Sequence, residues 1–560
     1  MLSILRRNSW FLILFSVGLL LRLAIIFQPL EFLSDLGLLF DDSFISLNIS
    51  RNLADGFGST HDRVIRTNGY QPFWVFICVP FFWVFSNNAL QAVRAILVFS
   101  SLLSVMTGFL LYLFLNKARG VWAARFGLII WMFSPLVLRH TLNALETGLY
   151  VFLIVLLLWL IQRGSTIDRW GGDYGITLPI WICLGCVFFT RVDALLLIPG
   201  LFWLLWRKKV GLKEIVLGFG LAGLPLFLWC AESFLRGGSF LPESGHAIRV
   251  ISLCYGTKFS WIKEINVSPE HIPFKFILSN FIYSLVMHEK YVRYLLFPIL
   301  NPFEMVRDPY PAYLFFPGFI TVMTCFGVLW GRRKRAVLQN KNFHFVFGLA
   351  IPFALLLVLG YSVYAFGQWF YHRYYFPNFI FFCLVMALVV SHIIKKLHSR
   401  GLSESLVAPI LSIWFIVSYG IHDIPFFKPR PDPLDYISIA RWLNQNCPED
   451  TRIGCFQAGT IGFFTEQRRI ICLDGVVNGA ARMALENKAI DSYLKKEGIT
   501  IVIDWKWVMD AQLFRRAPPG VFVAPYWREI KGLPPKYSGI WRERYSNFLP
   551  KGENEPAVQE

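Results

Sequence analysis

The sequence predicts an α-helical polytopic membrane domain followed by a small α/β domain outside the membrane. Three observations carry this. The 560 residues are 55% hydrophobic and only 16% charged, with a mean hydropathy of +0.51, too apolar for a soluble chain of this length. Apolar runs recur at the roughly 17–25 residues that a bilayer-crossing helix needs. Near residue 425 the composition changes to a proline-rich linker and then to short alternating helix and strand patterns.

Arg6 and Arg7 precede the first apolar run, residues 9–29, and place the N-terminus in the cytoplasm. The run lacks a small-x-small cleavage site, so it reads as an uncleaved span. It delivers the first outer loop, residues 30–70, to the far side. Residues 70–87 and 92–116 are both apolar, yet Lys117, Arg119 and Arg125 behind them carry the cytoplasmic mark. Two full crossings would put those cations outside. The shorter segment, with Pro72 and Pro80, is therefore expected to be re-entrant or merged with its neighbour, as backbone lining a cavity can be.

With that correction the remaining runs alternate in step. Residues 121–138 lead out to Arg139, His140, Asn143 and Glu146, and 146–162 return to Arg163 and Arg169. Residues 177–190 lead out to Arg191 and Asp193, and 194–206 return to Arg207, Lys208 and Lys209. Residues 212–230 lead to a long outer loop, 231–310, with apolar patches at 273–286 and 291–300. Residues 311–330 return to Arg332, Arg333, Lys334 and Arg335. Residues 343–363 lead out to Gln368, His372 and Arg373, 374–393 return to Lys395, Lys396 and Arg400, and 404–421 go out last. The transmembrane domain is thus residues 1–424, with about eleven to thirteen membrane segments.

The net charge of +18 follows the positive-inside pattern and favours anionic membrane lipids; it does not point to nucleic acid. The ten cysteines are scattered. Cys183 and Cys186 form a CxxC inside an apolar run and read as core packing. Residues 425–560 read as a soluble extracytoplasmic domain. Pro425, Pro429, Pro431 and Pro433 stiffen the linker. A helix at 434–446 and strands near 452–456, 469–473 and 499–504 follow. Cys447, Cys455 and Cys472 would be able to pair in an oxidising space. Gly459 and Gly462 read as tight turns beside strands in preference to a ligand loop, Asp474 reads as structural, and the domain is open to binding acceptor glycan or to capping the site.

On this topology Asp41, Asp42, Asn68, Glu146, Arg191, Asp193, Glu243, His372 and Arg373 share the outer face. Charges at helix ends often do no more than sit among lipid headgroups. Two adjacent carboxylates, however, repel and need a reason to be held together, and ionisable groups at membrane depth are functional candidates. A carboxylate there can take a proton from a hydroxyl. A second one, Asp42 or Glu146, can bind a divalent cation such as Mg or Mn or orient an acceptor. Arginines can stabilise a phosphate leaving group. The set suits transfer of a sugar from a lipid phosphate. Neither a P-loop nor a dinucleotide fingerprint is present.

The run Asp41-Asp42-Ser43-Phe44-Ile45-Ser46, continued by Arg51-Asn52-Leu53-Ala54 and Gly56, resembles the first outer loop of bacterial GT-C glycosyltransferases. So does Asn68-Gly69-Tyr70-Gln71-Pro72-Phe73-Trp74. Ala144-Leu145-Glu146-Thr147 is similar to that family's second acidic turn, often Gly-Met-Glu-Thr, and Arg191-Val192-Asp193 to its Arg-Pro-Asp turn. Leu241-Pro242-Glu243-Ser244 is similar to Leu-Pro-Asn-Ser, and His372-Arg373-Tyr374 to its Arg-Tyr turn. In the soluble part Ala458-Gly459-Thr460-Ile461-Gly462 and Leu473-Asp474-Gly475-Val476-Val477-Asn478 also fit.

The resemblance implies an inverting hexosyl- or pentosyltransferase of the mannosyl- or arabinosyltransferase kind. It would use a polyprenyl-phosphate sugar at the outer face of a bacterial inner membrane and a glycan, lipid or protein acceptor. By carry-over Asp41 is the base, and Asp42 and Glu146 orient acceptor or metal. Arg373 and Arg191 face the donor phosphate, and Asn68, Tyr70, Gln71, Asp193, Glu243 and His372 bind substrate. Two other readings compete: a transporter or flippase of lipid-linked glycans, which needs polar groups at mid-membrane depth, and a non-catalytic envelope assembly protein.

Overall fold

The computed structural model describes residues 9–164, 174–207, 209–237, 239–255, 272–296, 341–430, 434–465, 468–487, 489–509 and 527–542. The expected span 311–330 and the basic cluster Arg332 to Arg335 lie outside these residues. Among the described residues, five helices are long and apolar enough to cross a bilayer: Ala89–Ala118, Leu212–Arg236, Gly348–Ala365, Phe376–His398 and Glu404–Phe427. Val121–Phe133 and Pro135–Thr141, bent by 61° at their junction, make a sixth if counted as one span. The chain is a multi-pass membrane protein.

The helix Pro72–Val84 has 13 residues, about 20 Å at 1.5 Å per residue. That is short of the roughly 30 Å hydrocarbon core and in keeping with a segment that does not cross alone. The 61° bend has a local cause. Pro135 has no N–H to give to the carbonyl of Trp131, so that carbonyl loses its helical partner. The fully buried Arg22 takes its place: Nη2 donates to Trp131 O at 3.3 Å, Nη1 to Met132 O at 2.9 Å, and Nε to Ser104 Oγ at 3.1 Å. A guanidinium inside the bundle is thereby supplied with acceptors, as burial of its charge requires.

The segments read as outer loops contain helices among their described residues. Within 30–70 lie Leu30–Asp35 and Asp41–Ala54, and within 231–310 lie Glu243–Tyr255 and Phe274–Leu296. Asp41–Ala54 starts where Ser43 Oγ accepts from Phe40 N at 3.1 Å, puts both acids in its first turn, and ends before Gly56 at φ +85°. Acids belong in a first turn because the helix dipole is positive there. This gives the adjacent carboxylates their reason.

The C-terminal domain carries five strands in the order β2-β1-β3-β5-β4, with β1 Arg452–Cys455, β2 Arg469–Cys472, β3 Ile501–Trp505, β4 Trp527–Glu529 and β5 Tyr537–Arg542. β1 runs parallel to β2 and β3, while β5 runs antiparallel to β3 and β4. Cys447, Cys455 and Cys472 are free thiols and buried, so the anticipated pairing does not form. Cys455 and Cys472 are register partners on parallel strands, yet the Cys472 thiol donates to Asp474 instead. Cys183, likewise free, is buried in the helical core, and among the described residues no metal-holding cluster surrounds it.

Gly459 and Gly462 are not in turns. They sit in the helix Ala458–Phe464, which packs on Asp41–Ala54. A Cβ on Gly459 would lie 2.1 Å from the carbonyl oxygen of Asp41, and one on Gly462 would lie 3.1 Å from the His61 ring. The glycines are there for close approach between domains. Around them, Phe44 meets Phe463 and Phe464 with ring centroids 5.1 and 5.2 Å apart. Asn48 Nδ2 donates to Gly459 O at 3.0 Å, and ion pairs Arg469–Asp62 at 2.8 Å and Arg441–Glu31 at 2.6 Å tie the edges.

Candidate active site

Between the membrane helices and the C-terminal domain lies a cavity of about 730 Å³, within the range of small-molecule sites. Asp41, Asp42, Tyr70, Gln71, Glu146, Arg191, Asp193, His372 and Arg373 line it. Residues from five expected turns thus converge. Asn68 and Glu243 do not line it. Asn68 Nδ2 donates to Ser239 O at 3.1 Å and Leu241 O at 3.2 Å, while its Oδ1 accepts from Glu243 N at 3.0 Å. It therefore fixes the 239–243 loop, leaving Leu241, Pro242 and Ser244 on the cavity. Glu243 points the other way, to Arg482 of the C-terminal domain at 3.0 Å. The expected substrate-binding roles of these two residues become loop and domain anchoring, because each is already occupied within the chain.

The acids have separate environments. Asp41, 9% exposed, accepts from Gly459 N at 3.1 Å and from Thr460 N at 2.7 Å. Burial pushes its carboxyl up to about 7; the two backbone donors offset part of that, and the charges of Asp42 and Asp504 add to it. Asp42 pairs with Arg373 Nη1 at 2.8 Å. Arg373 also lies over the rings of Phe370 and Tyr374, 5.2 and 5.4 Å from their centroids.

Arg191 is saturated. It reaches Glu146 at 2.5 Å, Asp193 at 2.8 Å and Tyr361 Oη at 3.1 Å. Tyr361 Oη in turn donates to Asp193 at 2.6 Å. Tyr361 opens a π-helical turn, Tyr361–Ala365, closed by Phe366 in the left-handed region at φ +56°. Single π turns are frequent at functional sites. Tyr70 Oη accepts from Ser59 at 2.9 Å and stands edge-on to Trp229. The His372 and His140 rings lie 5.4 Å apart.

Solved structures share this fold. The structure of ArnT from Cupriavidus metallidurans bound to undecaprenyl phosphate aligns over 95% of this chain and 98% of its own, with TM-score 0.53 and 12% identity. Its apo form aligns over 96% and 98%, with TM-score 0.54 and 12% identity. The archaeal oligosaccharyltransferase AglB from Archaeoglobus fulgidus, in complex with an inhibitory peptide and a dolichol-phosphate, aligns over 98% of this chain and 75% of its own, with TM-score 0.53 and 13% identity. The chain has the GT-C fold. Residues 431–549 match a domain of unknown function, DUF8728. No curated protein matches the chain.

The GT-C scaffold explains one departure from the motif pattern. Ala144 stands where glycine is usual, and its φ is +53°. An L-residue held in that region costs about 1–2 kcal/mol. The turn is held regardless: Asn143 Oδ1 accepts from Leu145 N at 3.1 Å, Ser43 donates to Asn143 O at 2.7 Å, and Trp74 Nε1 donates to Ala144 O at 3.0 Å.

Asp42 and Glu146, the expected cation ligands, each hold an arginine. Among the described residues, no group of three or more His, Cys, Asp or Glu could hold a metal ion. Sequence reasoning missed Tyr361, and although it allowed that the C-terminal domain caps the site, it missed the residues of that wall, where Tyr436, Phe456, Gln457, Asp474, Val476 and Val508 line the cavity. The available signal was Leu473-Asp474-Gly475-Val476, a matched motif read as structural.

Proposed function

We propose that this protein transfers a sugar from a polyprenyl-phosphate donor to a hydroxyl acceptor at the outer face of a bacterial inner membrane, with inversion at the anomeric carbon. One observation carries the reading. A single cavity holds a buried carboxylate, Asp41, whose proton affinity is matched to neutral pH, and an arginine, Arg373, with one nitrogen paired to Asp42 and the guanidinium on the cavity wall. Ileu-type and aromatic side chains, Leu195, Leu196, Ile248, Ile251 and Tyr364, form its apolar side, suited to the first isoprene units of a lipid. ArnT binds undecaprenyl phosphate and AglB a dolichol-phosphate in the matching scaffolds, which supports a lipid-phosphate donor.

In the proposed step the acceptor oxygen attacks the anomeric carbon opposite the phosphate. The bond from that carbon to the phosphate oxygen breaks, and its electron pair leaves on the phosphate. The hydroxyl proton passes to Asp41. Arg373 meets the growing phosphate charge, a charge-assisted contact of the strong kind. Arg191, already bonded through all three nitrogens, positions Glu146 and Asp193 instead. The polar groups gather in one cavity, which supports an enzyme over a transporter.

The test is transfer by the purified full-length chain with a panel of polyprenyl-phosphate sugars. The acceptor source is the envelope glycolipid and glycan fraction of a strain lacking the gene, and the readout is released lipid phosphate. Failure of every donor would remove the proposal. Arg373→Gln is expected to weaken binding of undecaprenyl phosphate by about ten- to a hundredfold, the worth of one hydrogen bond to a charged group. Unchanged binding in that variant would move the phosphate elsewhere.

A further inference from the structure

The three parallel strands of the C-terminal domain all end at the cavity. Phe456 and Gln457 follow β1, Asp474 and Val476 follow β2, and Val508 follows β3. The carboxyl ends of parallel strands are where open α/β sheets bind ligands. Here that edge faces the membrane domain. Asp504, at the end of β3, accepts from Phe456 N and Gln457 N, both at 2.8 Å, and so fixes the β1 loop. The β2 loop is pressed onto the first-loop motif: a Cβ on Gly69 would lie 1.7 Å from Val476 O, and Gly475, at φ +87°, has Arg482 against it.

Asp474 sits at the centre of this contact. Its Oδ1 accepts from Val476 N and from the Cys472 thiol, each at 2.8 Å. Those bonds aim the side chain and occupy one oxygen, while the residue lines the cavity. It lines the same cavity as Asp41 and Asp42. A carboxylate oxygen accepts hydrogen bonds and gives none when ionised. A sugar hydroxyl beside it is held by its own proton, so the hydroxyl it holds is not the one that attacks.

We infer that Asp474 binds the acceptor: its second carboxylate oxygen takes a hydrogen bond from a hydroxyl next to the attacking one on an incoming glycan, which leaves the attacking hydroxyl's own proton for Asp41. The C-terminal domain is then the acceptor half of the site, and the membrane domain, through Arg373 and the apolar wall, is the donor half. This rests on the transferase reading above. Asp474 binds without changing its own bonding, and the proton released in the step goes to Asp41.

Asp474→Asn is the decisive variant, because Asn retains the Oδ1 that accepts from Val476 N and so keeps the loop. In the full-length chain, Asp474→Asn is expected to raise the KM for the envelope acceptor fraction by tenfold or more, with undecaprenyl phosphate binding unchanged. Asp474→Glu is expected to recover part of that loss. A merely structural Asp474 would instead leave acceptor KM unmoved, or lower donor binding and thermal stability along with it; either result overturns the inference. If Asp474→Asn matches wild type in every readout, the inference fails and the transferase reading stands. If wild type itself neither transfers sugar nor binds undecaprenyl phosphate, the transferase reading fails first and takes the inference with it.

Discussion

Asp41→Asn is expected to lower sugar transfer by about 10²- to 10⁴-fold, the usual contribution of a positioned proton acceptor. Asparagine cannot take the acceptor's proton. It also meets two backbone donors, Gly459 N and Thr460 N, with one oxygen and one NH2 group. The NH2 then opposes a backbone N–H, leaving that donor unsatisfied at a cost of about 1–3 kcal/mol. From sequence alone the variant would be expected to fold unchanged; the structure adds a fall in thermal stability. Binding of undecaprenyl phosphate should survive, since Arg373 is untouched. Transfer at the wild-type rate would remove Asp41 as the base.

The same group sets a pH dependence. Burial raises Asp41 to about 7, and the base is competent only when ionised, so wild-type transfer is expected to climb with pH through about 7 and then level. Asp474 and Asp504 are also pushed up to about 7, again chiefly by burial. In the unfolded chain all three titrate near 4, as aspartates ordinarily do. Between about 4 and 7 these three carboxyls therefore bind more protons in the folded chain than in the unfolded one, and their share of stability falls as pH rises through that window, against the opposite share of His61, which burial lowers to about 4. Their contribution is complete below about 4 and gone above about 7. The difference in melting temperature between wild type and Asp504→Asn across this range checks the sign, and a difference that does not change with pH would contradict the burial of that carboxyl.

Gly459→Ala is expected to be the most damaging substitution away from the reacting groups. Its Cβ would sit 2.1 Å from the backbone oxygen of Asp41 and 2.9 Å from Ile45 Cγ1. Backbone cannot step aside as a flexible side chain does, so the two helices must separate. Overpacking of this kind costs about 1–3 kcal/mol or more, and here it also pulls Gly459 N and Thr460 N off the Asp41 carboxylate. Loss of transfer should accompany faster proteolysis at the linker near Pro429, while the membrane domain stays intact. Gly56→Ala is the matched control: it has open space around it, and only its positive φ is strained.

The fold class was legible because bilayer thickness and charge sidedness act on composition, and composition is what a sequence displays. The turns that supply Asp41, Glu146, Arg191 and Arg373 were legible for the same reason: each polar turn sits between apolar runs. Their partners were not. Glu243 stands in a motif with the expected substrate-binding turn, yet it pairs with Arg482, 239 positions away. Asp41 meets Gly459 across 418 positions. Pairings at such separation depend on how helices and sheet dock, and no local periodicity encodes that. Gly459 shows the difficulty plainly. A glycine for a turn and a glycine for close approach read alike until the opposing backbone is in place.

The 418-residue separation between Asp41 and its backbone partners also orders events during synthesis. The wall bearing Asp41 leaves the ribosome well before the wall bearing Asp474. A half-made chain in the bilayer therefore carries the arginines for a lipid phosphate but no finished pocket in which to consume it. Products terminated before the C-terminal domain should be inert, since that domain supplies one wall of the cavity.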